Sequence, residues 1–188
     1  MRGAVLAALV VASLLAGTAR SAGDPLSRPL HLPRLAKGEP CPVSRIDRSV
    51  DWKRAGIFGG FGYGPGPVYP GLGLHAVVDV WRDEQDGGPW YGQKVFWYVL
   101  PSYRVQVLIR GRRLDGSEWL PFDAGRLPSS QLRIAPGESV SWEGQPLGSR
   151  GRPSGVRARA PGCYGVQIDG TTFSRVVVFR VRLTTPPR

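Results

Sequence analysis

Hydrophobic residues recur at every second position over much of this chain. In "FSRVVVFRVRL" (Phe173–Leu183), Phe173, Val177, Phe179, Val181 and Leu183 fall on one side, and Ser174, Arg180 and Arg182 on the other. A period of two sends successive side chains to opposite faces of a strand, so this segment predicts a strand with one buried face. "YRVQVLIR" (Tyr103–Arg110) repeats the pattern, with Tyr103, Val105, Val107 and Ile109 together. "LHAVVDVW" (Leu74–Trp81) and "QKVFWYVL" (Gln93–Leu100) are β-branched and aromatic runs of strand length. Shorter runs follow at "SEWLPF", "QLRI", "SVSW" and "GVRARA", and "CYGVQI" precedes the last strand.

Helical periodicity is nearly missing. Past the N-terminus, no window sustains apolar residues at i, i+3, i+4 and i+7 without Gly or Pro interrupting. The nearest candidate, "VSRIDRSVDWKRAG" (Val43–Gly56), reads equally well as a first extended segment and a turn. Two Asp-Gly pairs, Asp115-Gly116 and Asp169-Gly170, separate strand-like runs. Asp-Gly suits a tight hairpin because both residues tolerate positive φ. Short strands at regular spacing predict an antiparallel sandwich or barrel.

The first residues stand apart from this pattern. Arg2, an apolar or small stretch from Gly3 to Gly17, and the small-residue cluster up to Ala22 have the layout of a secretory signal peptide, assigned here to residues 1–21. Its core is too short to span a membrane, which takes about 20 residues. Residues 22–40 carry prolines at 25, 29, 33 and 40 and predict a linker, since proline joins neither a helix interior nor a central strand. The folded domain is expected over 41–184, with 185–188 as a disordered tail. A secreted or cell-envelope location follows, with no transmembrane segment after signal cleavage.

Cys41 and Cys163 are the only cysteines in the 188 residues. In an exported chain such a pair predicts a disulfide, closing a loop of about 120 residues and contributing roughly 4–5 kcal/mol as an upper estimate. A catalytic thiol would need a histidine partner, and the histidines are only His31, in the proline-rich stretch, and His75.

The formal charge of +11 falls by two if Arg2 and Arg20 leave with the signal. Lysine occurs only at 37, 53 and 94, and the arginines alternate with apolar residues. That distribution fits a solvated sheet face, or an acidic partner such as an anionic envelope polymer or another envelope protein. Nucleic acid is not an expected partner.

"LRIAPGESVSW" and "RARAPGCYGVQIDGTTFSRVVVFRV" resemble the closing strands of bacterial secreted immunoglobulin-like β-sandwich domains. With "GPVYPGLG", "GQKVFWYV" and "VLIRGRRLDG", the chain is similar to a group of exported bacterial proteins that carry a single such domain and no assigned activity. The resemblance implies an all-β, antiparallel immunoglobulin-like β-sandwich after the signal peptide and proline-rich linker. It implies no activity, because that architecture hosts many. Cys41 departs from the antibody pattern, in which both bridged cysteines lie within the sandwich strands.

Chemistry-bearing motifs are sparse. "GIFGGFGYGPGPVYPGLG" (Gly56–Gly73) has no Gly-Lys-Ser/Thr ending, so it is not a phosphate loop. It reads as a crossing loop whose aromatics pack on the sheet, or as one that offers Phe58, Phe61, Tyr63 and Tyr69 to a ligand. Trp90 and Tyr91, between Pro89 and Gly92, complete the candidate ligand-binding set as an exposed pair able to stack on a sugar ring or an aromatic partner.

Asp79, Asp83, Glu84 and Asp86 are dense enough for a cation loop, but their spacing does not match the twelve-residue calcium loop. Glu118, Asp123, Glu138 and Glu143 are available for a paired-carboxylate mechanism. No Gly-x-Ser-x-Gly elbow is present. The expectation is a non-catalytic secreted or cell-envelope binding or structural module without cofactor or metal. A secreted hydrolase or carbohydrate-active protein using loop carboxylates is the alternative.

Overall fold

The computed structural model describes residues 26, 28–57, 60–82, 90–123, 128–138 and 145–185. Among these the chain is all-β. Its strands are β1 (Phe61–Gly62), β2 (Val68–Leu72), β3 (Val77–Arg82), β4 (Tyr91–Val99), β5 (Val107–Arg113), β6 (Phe122–Asp123), β7 (Pro128–Ser129), β8 (Gln131–Ile134), β9 (Arg150–Ala158), β10 (Gly162–Asp169) and β11 (Ser174–Leu183). The helical alternative for Val43–Gly56 is not realised. That segment makes a bridge from Ile46 to Tyr63 and then a turn, placing Trp52 edge-on against Tyr69 and Tyr98.

All strands join one hydrogen-bonded sheet, with the order β7-β6-β9-β4-β3-β11-β10-β5-β8 and β2 pairing β4 beside β3. Every pair is antiparallel except β3 with β11, which run parallel. The two ends of this order, β7 and β8, are consecutive in the chain with Ser130 between them. One bent stretch therefore pairs with β6 on one side and β5 on the other, and the sheet rolls into a nearly closed barrel. Rolling a sheet on itself removes the free edges that an open sheet leaves exposed. At the seam, two β9 side chains reach β8 and the residue after it: Arg150 Nη1 donates to Ala135 O at 2.7 Å and Arg152 Nη1 to Arg133 O at 3.3 Å.

The period-two pattern explains the interior. Val177, Phe179 and Val181 of β11 are buried with Val107 and Ile109 of β5, Val95, Trp97 and Val99 of β4, and Tyr164, Val166 and Ile168 of β10. β5 begins later than its sequence pattern suggests, since Tyr103 and Val105 precede the ladder and Val105 is exposed. The Asp169-Gly170 hairpin forms, with Asp169 opposite Ser174 and Gly170 N donating to Phe173 O at 2.9 Å. Its glycine is not at positive φ, and neither is Gly116. A Cβ on Gly170 would instead overlap the Phe173 ring and the Tyr103 hydroxyl, so close approach rather than backbone handedness requires glycine there.

Residues 28–41, expected as linker up to residue 40, lie across the outer face of β5, β10 and β11. They form no strand, because proline lacks the N–H that a ladder needs. Their carbonyls remain free to accept: Pro29 O from Gln167 Nε2 at 3.0 Å, Arg28 O from Arg110 Nη2 at 2.5 Å, and Leu32 O from Arg112 Nη2 at 3.1 Å. Leu35 N donates to Leu114 O at 2.9 Å, and Leu32 is buried against Leu114 and Val178. The Cys41–Cys163 disulfide, with Cα atoms 5.4 Å apart, fixes the end of this strap to β10. The folded unit thus includes residues 28–40. The expected signal peptide, 1–21, and residues 186–188 of the expected tail are outside the described residues.

Candidate functional site

The glycine-aromatic segment does not offer its tyrosines to a ligand. Tyr63 and Tyr69 are each 2% exposed, with Tyr63 donating to Gly73 O at 3.0 Å and Tyr69 to Asp47 Oδ2 at 2.7 Å. Burial and the neighbouring Asp47 carboxylate push the Tyr69 phenol well above its ordinary pKa. Phe61 is half-buried against the core, and Phe58 lies outside the described residues. β2 pairs with β4 here and Trp52 covers the pair from outside; a Cβ on Gly62 would overlap the Trp52 indole. The glycines let an indole lie on the sheet, which is a packing role.

The carboxylates singled out as catalytic candidates face arginines. Asp79 meets Arg182 at 2.6 and 2.9 Å, Asp123 meets Arg157 at 2.8 Å, Glu138 meets Arg152 at 2.5 Å and Glu118 meets Arg113 at 3.5 Å. Each is engaged by a guanidinium rather than set across a cleft from a second carboxylate, as a paired-carboxylate mechanism requires. Asp83, Glu84, Asp86 and Glu143 are outside the described residues. Among the described residues, no group of three or more His, Cys, Asp and Glu side chains is placed to hold a metal ion. His75 is exposed on the turn before β3, with φ at 59°. The disulfide leaves neither cysteine as a thiol.

Trp90 and Tyr91 fare differently. Tyr91 opens β4 opposite Ala158, so continuing the register sets Trp90 opposite Arg159, just beyond β9. The Arg159 guanidinium sits over the Trp90 ring at 4.3 Å, and the Arg82 guanidinium lies 5.2 Å from the Tyr91 ring. Such cation–π contacts fix ring orientation and contribute about 0.5–1 kcal/mol at exposed sites. The hairpin after β5 then returns through the Asp115-Gly116 turn, and Trp119 bridges to Arg112.

These elements form a groove of about 490 Å³ at one rim of the barrel, lined by Trp90, Glu118, Trp119, Pro121, Pro128, Ser130 and Arg159. The volume falls within the range of about 300–1,000 Å³ common to small-molecule sites. Trp119 is 60% exposed, an unusual position for the largest apolar side chain. Among the described residues Arg159 makes no hydrogen bond or ion pair, and Glu118 Oε2 has no hydrogen-bond donor.

Two other depressions are less open chemically. One of about 300 Å³, beside Trp81 and Lys94, contains the Asp123–Arg157 pair, already joined. Another of about 450 Å³, along the disulfide, contains Asp115, which accepts from Arg113 at 2.7 Å.

Of the groove residues, Trp90 is legible in sequence from its Pro-Trp-Tyr-Gly setting. Sequence alone does not mark Trp119 and Arg159 as ligand residues, because only strand register and barrel closure bring them together. Glu118 reads in sequence only as a catalytic candidate. No protein-family model matches the chain, and a search of curated proteins finds no match.

Proposed function

We propose that this protein is an extracytoplasmic, non-catalytic binding module that holds its ligand in the rim groove between Trp90 and Trp119. The observation that carries the proposal is that two indoles, Trp90 and Trp119, line one concavity together with the Arg159 guanidinium and the Glu118 side chain. Sites of this kind use apolar walls for affinity and a few polar groups for orientation.

The buried disulfide supports an oxidising compartment, and no helix of the described residues is long and apolar enough to cross a membrane. The resemblance of the closing strands to secreted immunoglobulin-like domains supports the same role, since those domains recognise ligands through residues at one end of the sheet. An anionic envelope polymer or another envelope protein is the wider partner class that the basic charge suggests.

The test is ¹H–¹⁵N NMR of the oxidised protein against soluble oligosaccharides, acidic polymers and proline-rich peptides. Binding is expected to shift the Trp90 and Trp119 indole resonances before those of Trp52 and Trp97. A bound probe that moves residues elsewhere and leaves both rim indoles unchanged would refute the proposal.

A further inference from the structure

The chemistry of the groove narrows its ligand class, on the premise that the rim groove is the binding site. We infer that the occupant is a neutral saccharide, with pyranose faces against Trp90 and Trp119 and hydroxyls bonded to Arg159 and Glu118. Three observations lead there.

First, the groove is locally balanced in charge. The whole chain has a formal charge of +11, yet among the described residues this concavity is lined by one arginine, Arg159, and one carboxylate, Glu118. A polyanion entering to meet Arg159 would also meet Glu118, and like charges at close range in a partly dehydrated groove are repulsive. The net charge therefore misdirects the choice of ligand: the basic surplus is elsewhere on the molecule.

Second, the free hydrogen-bonding groups are of both kinds. Arg159 is all donor, and the Glu118 carboxylate is all acceptor. Among the described residues the Glu118 side chain is 36% exposed, with Oε1 in a 3.5 Å ion pair to Arg113 and Oε2 buried. An apolar ligand would strip water from the accessible part of this charged side chain and give no hydrogen bond in return, which is costly. A polyproline segment brings carbonyl acceptors for Arg159 but no N–H for Glu118. A sugar hydroxyl donates and accepts at once, so adjacent hydroxyls on one ring satisfy both residues.

Third, the apolar part of the wall carries planar rings. Among the described residues it consists of two indoles, Pro121 and Pro128. Flat π surfaces suit the axial C–H faces of a pyranose, whose amphipathic character matches an amphipathic wall. Arg159 stacked at 4.3 Å on Trp90 holds that indole in a fixed plane.

The experiment is a titration of the oxidised protein with β-linked hexose and N-acetylhexosamine oligomers, followed by tryptophan fluorescence and by the two rim indole resonances. Polygalacturonate oligomers and a polyproline peptide serve as competing arms. A neutral oligosaccharide is expected to bind, with affinity changing less than about twofold between about 0.05 M and about 0.5 M NaCl.

Trp119→Ala is expected to weaken binding about tenfold or more, and Glu118→Ala and Arg159→Ala each by a similar factor. Glu118→Gln, which keeps an acceptor oxygen, is expected to retain most of the affinity. Trp119 is exposed, so its variant should keep the parent melting temperature, which separates loss of binding from loss of fold.

If the polyanion or the polyproline peptide shifts the rim indoles and no neutral sugar does, the saccharide class is wrong while the groove stands. If a sugar binds Trp119→Ala as tightly as the parent, the groove itself is wrong. Silence of both indoles toward every probe overturns both.

Discussion

Arg110 donates through Nη2 to Asp169 Oδ2 at 2.7 Å, and the carboxylate it meets is completely buried. Asp169 also accepts from Gln167 Nε2 at 3.0 Å and from Ser174 Oγ at 2.7 Å, so the last residue of β10 anchors the closing hairpin and the sheet beneath the strap. Removing this buried carboxylate strands the Gln167 amide and the Ser174 hydroxyl, and leaves the Arg110 guanidinium, 22% exposed, without its partner. Asp169→Ala is therefore expected to destabilise the fold by about 3–5 kcal/mol in chemical denaturation, and Asp169→Asn by less. A loss under about 1 kcal/mol for the alanine variant would show that the pair is dispensable.

Alkaline pH should unfold the protein through its buried phenols. Burial pushes Tyr164 up to about 12 from its ordinary value of 10.0, and burial with the Asp47 carboxylate raises Tyr69 as well. Between those values the unfolded chain releases a proton that the folded chain keeps, so stability is full below pH 10 and declines as pH rises toward 12. Denaturation midpoints measured from about pH 9 to about pH 12 should fall steadily, in step with phenolate absorbance. Midpoints that stay level while the phenols ionise would contradict this linkage.

At acid pH the relevant group is Asp47, whose carboxyl is held below the usual range by hydrogen bonds from the Ser49 hydroxyl and then the Tyr69 hydroxyl. Its contribution is present above the ordinary carboxylate range and is lost as pH falls through the lowered value. Asp47→Asn should flatten the acid limb of the stability profile. An unchanged acid limb in that variant would assign the loss to other carboxylates.

Breaking the disulfide by the paired change Cys41→Ser and Cys163→Ser should cost about 4–5 kcal/mol, given the sequence separation of 122 residues. The effect should concentrate in the strap. Hydrogen exchange at the amides of Leu35 and Ser44, which bond to Leu114 O and Val178 O, is expected to accelerate more than exchange within β4. Uniform acceleration throughout the barrel would argue that the strap has no independent stability.

Tryptophans separate packing from binding. Trp97 is fully buried and edge-on to Phe122, so Trp97→Ala should cost about 3–5 kcal/mol. Trp119→Ala should change stability by no more than about 0.5 kcal/mol. Thermal melts of the two variants read this contrast directly, and a large loss for Trp119→Ala would return that indole to the core.

Strand identity was legible because one-sided burial imposes a period of two: Val177, Phe179 and Val181 all point inward as their spacing implies. Closure of the sheet was not, because β7 and β8 look like two short runs until their shared chain bends at Ser130. The outer faces were harder still. Val178 occupies the polar phase of its strand, and it is interior where Leu32 of the strap packs on it. Proline density correctly excluded ladder pairing for that segment, but it says nothing about carbonyls that side chains such as Gln167 can reach. Trp119 and Arg159, forty residues apart, meet through register alone.

The strap has a consequence for the order in which the molecule can be made. Its landing surface is built from β5, β10 and β11, and its sulfur partner is Cys163, so the earliest described residues depend on nearly the latest. During synthesis Leu32, Leu35 and Cys41 have no docking surface until β10 and β11 have been made. The strap therefore settles only after those strands, and truncated products lacking the β10–β11 hairpin should be cleared as unfolded protein rather than accumulate as smaller barrels.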